Sequence, residues 1–154
     1  MKKKTEVQRW LESARLLEES IRCDQDDLAA YRSSAEKRTA MLSLTGGATA
    51  TGERTMEDAV IGIVLQKEKI REKLARLEAL EQEMMSIFGR LADPEQRQLM
   101  TLRYVKERSW LYIAEKLNIS RATVYRLHEA ALREVEKLYE EERSARGKGG
   151  TASG

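Results

Sequence analysis

The feature that most constrains this chain is a three/four alternation of apolar residues that persists through two long stretches. The first runs Val7, Trp10, Ala14, Leu17, Ile21, Leu28, Tyr31, Ala35 and Leu42, with Asp24 and Arg38 at the two missing steps. The second runs Met56, Val60, Ile63, Ile70, Leu74, Leu77, Met84, Phe88 and Leu91, with Lys67 and Glu81 as its interruptions. A mean step of about 3.5 residues is the repeat of a coiled-coil seam and is incompatible with the period of two in strands. Between the stripes, residues 43–54 are rich in Gly, Thr and Ala and predict a flexible loop. Residues 1–92 therefore read as a long antiparallel helical hairpin, its helices near 5–42 and 55–92. One pair of such helices buries a single seam. A second copy of the hairpin and the C-terminal domain folded back are the two surfaces open to cover the rest. Asp24, Arg38, Lys67 and Glu81 at seam positions are candidates for fixing register as opposite-charge pairs; taken singly, each is expected just outside the seam.

Composition agrees with an all-α chain. Of 154 residues, 35% are charged, only one is Pro, and the bulk is Ala, Leu, Glu, Lys, Arg and Gln, all strong helix formers. The single cysteine, Cys23, closes no internal disulfide, which suits a reducing cytoplasm; beside the seam it is expected to be buried and inert. No apolar run reaches the ~18–20 residues of a membrane span, and no apolar core follows the Lys2-Lys3-Lys4 start, so neither a membrane partner nor a signal peptide is expected.

A new unit begins at Asp93-Pro94. Asp93 suits a helix cap and Pro94 the first helical position, with Leu99, Leu102 and Val105 turned inward. Lys106-Glu107-Arg108 makes a polar turn. Ser109 caps a helix from Trp110 to Leu117, and Asn118 tolerates the left-handed backbone of a tight turn. Ser120 then caps a last helix from Arg121 toward Glu142. Ala114 at the crossing, with Ile113, Leu117, Ile119, Val124 and Leu127 as a small core, makes Trp110–Glu129 a helix-turn-helix. Residues 93–143 thus form a three-helix domain, and 144–154 read as a disordered tail. Charge is distributed unevenly. Residues 1–92 carry 16 basic and 16 acidic side chains, whereas residues 96–133 carry eight basic and three acidic, a local +5. A basic surface around a helix-turn-helix points to DNA.

The stretch Leu102–Leu138 resembles region 4 of bacterial sigma-70 factors in residue type and spacing. With the hairpin ahead of Arg103-Tyr104-Val105 and Ser109-Trp110, the whole chain resembles small phage-encoded transcriptional regulators of the RinA and ArpU type. The resemblance implies that the exposed first two turns of the last helix enter the major groove, with Arg121, Ala122, Tyr125 and Arg126 at base edges and Thr123 at the groove edge. Arg121 and Arg126 are suited to guanine, and the Ala122 methyl to a thymine methyl. Sigma factors usually carry an acid where Ala122 stands, so the usual −35 preference is not implied. Arg103, Lys106 and Arg108, bordering the turn, are the candidate phosphate contacts. Double-stranded DNA is the implied partner, RNA polymerase is left open as a second, and the hairpin offers a route to a homo-oligomer.

An enzyme is the weakest reading. His128 is the sole histidine and reads as a polar residue on a helix flank, and Gly46-Gly47 precedes no Gly-Lys-Ser/Thr phosphate loop, so no catalytic residue, metal or cofactor is expected. Residues 1–92 also lack the cluster of exposed aromatics that a complete sigma factor uses to melt DNA. Two alternatives to a sequence-specific regulator are a small-terminase-like packaging protein, in which the order of domains is usually reversed, and a helical adaptor.

Overall fold

The computed structural model of the chain describes residues 3–45 and 50–151. It is all-α, with α1 at Glu6–Thr45, α2 at Ala50–Gly89, α3 at Pro94–Met100, α4 at Trp110–Leu117 and α5 at Arg121–Thr151. A π-helical turn at Thr101–Val105 links α3 to the loop before α4. No strand occurs among the described residues. None of their helices is long and apolar enough to cross a membrane.

The helices of the hairpin extend further than the loop composition suggested. Residues 43–45 and 50–54 are helical, and the rest of the expected flexible loop, residues 46–49, lies outside the described residues. The last helix also runs past residue 143, so residues 144–151 are helical where a disordered tail was expected; 152–154 lie outside the described residues. At the start of this extension Arg143 pairs with Glu6 and Arg146 lies 3.5 Å from Glu83.

The chain divides into two compact units, but not at residue 93. One unit is Leu17–Leu77, and the other joins Met1–Leu16 to Glu78–Gly154. The second grouping arises because the ends of the long helices share a core with the C-terminal helices. Val7, Leu11 and Ala14 of α1 and Met84, Ile87 and Phe88 of α2 are buried in the same unit as Leu99, Met100, Ile113, Val124, Ala131 and Val135. The Trp10 and Tyr139 rings meet at 5.0 Å, and Arg90 pairs with Glu141 at 3.1 Å. Residues 1–92 and 93–143 are therefore not separate structural units.

In the unit Leu17–Leu77, α1 and α2 run antiparallel. Lys73 Nζ donates to Ser20 Oγ at 2.6 Å, Gln66 Nε2 to the Asp24 carbonyl at 2.8 Å, and Thr39 Oγ1 to Met56 Sδ at 3.7 Å, so rising numbers on one helix meet falling numbers on the other. The α1 seam buries Ile21 as its spacing predicts, and buries Asp24 too, although a single charged residue was expected just outside the seam. On α2 one of the two seam columns is displaced by a residue. Met56, Ile63, Ile70 and Leu77 turn inward with Ala59, Gln66 and Lys73, while Val60, Lys67 and Leu74 are exposed. The reason is polar. The buried Asp24 carboxylate takes Lys73 at 2.6 Å and Lys69 at 3.5 Å, not Lys67. Lys73 holds the Asp24 carboxyl below its ordinary range through that hydrogen bond, against the opposing effect of burial. Cys23 is exposed, contrary to expectation, because it lies one residue outside the seam.

Candidate nucleic-acid interface

The site is built on three helix caps whose hydrogen bonds are local. Asp93 accepts the Glu95 N–H at 3.0 Å, Ser109 Oγ accepts that of Tyr112 at 3.1 Å, and Ser120 Oγ that of Thr123 at 3.2 Å. Between α4 and α5, Asn118 adopts φ 56°, ψ 48°. Its N–H bonds the Glu115 carbonyl at 3.2 Å and that of Ile119 bonds the Ala114 carbonyl at 3.0 Å, the Schellman pattern that stops α4 in one residue. Ile113, Ala114 and Val124 are buried where the two helices pack.

That packing decides which side of α5 faces water. At 100° per residue, Val124, Leu127 and Ala131 share one side and Arg121, Ala122, Tyr125 and Arg126 the other. The latter four are all exposed, as is Thr123 beside them, whose hydroxyl lies 2.8 Å from Ser120 Oγ. Along the same face Glu129 is exposed one turn further and Arg133 one turn beyond that, so a single carboxylate interrupts the positive surface after its first two turns.

The three candidate phosphate contacts differ. Lys106 and Arg108 are exposed, and the Arg108 guanidinium stands 5.2 Å over the Tyr112 ring. Arg103 is half-buried, stacks 4.2 Å over Trp110 and donates from Nη1 to the Arg108 carbonyl at 3.1 Å. Its guanidinium braces the loop that carries the other two.

A family model described as "Protein of unknown function (DUF1492)" matches residues 33–136. The chain belongs to this family. No curated protein and no solved structure matches it. The DUF1492 match takes in the outer part of α1, all of α2 and all eight of these candidate contact residues.

The DUF1492 segment also contains an aromatic cluster that the sequence reading missed. Tyr104 Oη and His128 Nε2 share a hydrogen bond of 2.7 Å. Trp110 meets the His128 ring edge-on at 4.8 Å and the Tyr125 ring at 5.6 Å. His128 is thus no plain flank residue. Burial, aided by the Arg103 charge, lowers its pKa to about 4, and it is neutral at pH 7. Burial likewise raises the Tyr104 hydroxyl to about 12, with Arg103 opposing and Glu12 adding to the rise. The available signal was the concentration of Tyr104, Trp110, Tyr125 and His128 within 25 residues of a chain that is only 5% aromatic. Through Trp110 the cluster sets where Tyr125 leaves the surface. Among the described residues no group of three or more His, Cys, Asp or Glu side chains is placed to hold a metal.

Proposed function

We propose that this protein is a sequence-specific, double-stranded-DNA-binding regulator of transcription that uses α4 and α5 as a sigma region 4-like helix-turn-helix. One observation carries the reading. Arg121, Ala122, Thr123, Tyr125 and Arg126 all lie exposed on the first two turns of α5, while Val124 among them is wholly buried. A convex, cationic helix end with guanidinium, hydroxyl and methyl groups matches the donor, acceptor and methyl pattern of a major groove. Lys106 and Arg108 at the loop add sequence-independent attraction to phosphate. The protein acts without catalysis in this reading, in the cytoplasm, with RNA polymerase as a second candidate partner.

The test is selection of bound duplexes from a random DNA pool by the full chain, followed by binding to the selected and scrambled duplexes at several salt concentrations. A single enriched motif bound at least tenfold more tightly than its scramble is expected. Equal binding to both would remove the sequence-specific reading, and no binding at low salt would remove DNA as the partner.

A further inference from the structure

Helix α2 is apolar on two opposite sides, and α1 covers only one of them. The covered side carries Ile63, Ile70 and Leu77 but also Gln66 and Lys73. Val60, Ile61, Val64 and Leu65 are each more than half exposed. At 100° per residue these four fall within one 140° sector whose centre lies nearly opposite the seam. A helix of a charged protein that faces α1 with a lysine and a glutamine, and water with four aliphatics, lacks a neighbour.

We propose that the neighbour is α2 of a second copy, packed end-for-end about a two-fold axis between Gly62 and Ile63. The stripe is its own complement in that arrangement. Val60 then faces Leu65 and Ile61 faces Val64 of the other copy, so a single patch supplies both halves of an isologous contact. The area is sufficient. Four such side chains offer roughly 300–400 Å² of apolar surface per copy, counted at the usual transfer areas. Interfaces are only about 57% apolar, so this core implies roughly 1,050–1,400 Å² in total, above the ~1,000 Å² that a specific interface needs. The ends of the stripe carry charge of both signs. Glu57 bounds one end and the Arg71–Glu68 pair, at 3.7 Å, the other, so each Glu57 comes level with the other copy's Glu68 and within a turn of the Arg71 that neutralises it. The proposal does not depend on the DNA reading.

The experiment is light scattering on the full chain at tens of micromolar, with helicity followed by circular dichroism. The expected mass is about 35 kDa, twice the 17.6 kDa of one chain. Ile61→Glu/Val64→Glu, which sets like charges against each other across the axis, is expected to give a monomer of unchanged helicity. Leu16→Glu alters another exposed leucine and is expected to leave the dimer intact. Should the double glutamate variant lose helicity, Val60→Ser/Leu65→Ser is the milder variant, with at least a tenfold weaker dimer expected. A monomeric wild-type chain would overturn the proposal and leave the stripe to a different partner. A dimer that survives both double substitutions, or is lost with Leu16→Glu, would overturn it too.

Discussion

Tyr104 and His128, 24 residues apart, meet in a 2.7 Å hydrogen bond that ties the π-helical turn to the middle of α5. A neutral imidazole is required there, since burial and Arg103 both oppose its protonation. The π-helical turn closes through the Lys106 N–H, which bonds the Thr101 carbonyl at 3.0 Å, and brings Tyr104 to this contact.

Stability is therefore expected to fall in mild acid. The folded pKa of His128, about 4, lies below the ordinary 6.5, so the unfolded chain takes up the proton first. The contribution is complete above pH 6.5 and is lost as pH falls toward 4. With partial exposure discounting the shift, the loss is about 1–2 kcal/mol. Thermal melts at pH 7, 6 and 5 are expected to show a decline that flattens in His128→Gln. Parallel declines in both proteins would exclude His128 as the origin.

Asp24 acts in a lower window. Its folded pKa is depressed, so its contribution is complete above pH 4 and disappears as pH falls through the folded value. Asp24→Asn is expected to cost about 1–3 kcal/mol at pH 7, because Lys73 loses its charged hydrogen-bond partner. Asp24→Leu combined with Lys73→Met is expected to recover most of that loss, since a well-packed apolar pair replaces a buried ion pair at little cost. Urea denaturation of the three proteins measures both effects, and a double variant weaker than Asp24→Asn would contradict the argument.

Glu107 sits at φ 53° and its Oε1 is buried without a hydrogen-bond partner. Its charge also adds to the effect of burial in raising the Glu81 carboxyl. A left-handed non-glycine residue costs about 1–2 kcal/mol. Glu107→Gly is expected to raise Tm by about 2–4 °C, the shift that roughly 1 kcal/mol produces in a chain of this size. An unchanged or lower Tm in calorimetry would show that Glu107 holds the loop in place.

On DNA, the two arginine-bearing regions are expected to separate by variant. Arg126→Ala is expected to cost roughly 1–3 kcal/mol on the selected duplex and much less on random DNA. Lys106→Ala is expected to weaken both about equally and to make the log–log salt slope shallower by about one unit. One titration series at several salt concentrations reads both. Equal losses on specific and random DNA for Arg126→Ala would count against base reading.

Everything decided by neighbours in sequence was legible in the residues alone. Ser109 and Ser120 cap the N–H groups three residues on, and Asn118 turns left-handed within its own Schellman bonds. The apolar α1 seam follows from a periodicity local to one helix, while the burial of Asp24 within it rests on Lys73 of α2. The burial of Val124 beside exposed Arg121 and Arg126, and with it the candidate surface, follows from the same 100° step. Tertiary structure decided the remainder. On α2 periodicity favours 60/67/74, with Val60 and Leu74, over 59/66/73, which is Ala, Gln and Lys, yet the second column is the one turned inward. The choice falls to Asp24, 49 residues from Lys73, because a carboxylate buried on α1 must meet a cation on α2. The aromatic cluster at His128 has the same origin. It depends on side chains brought together from separate elements, where burial outweighs the local preference for a polar flank.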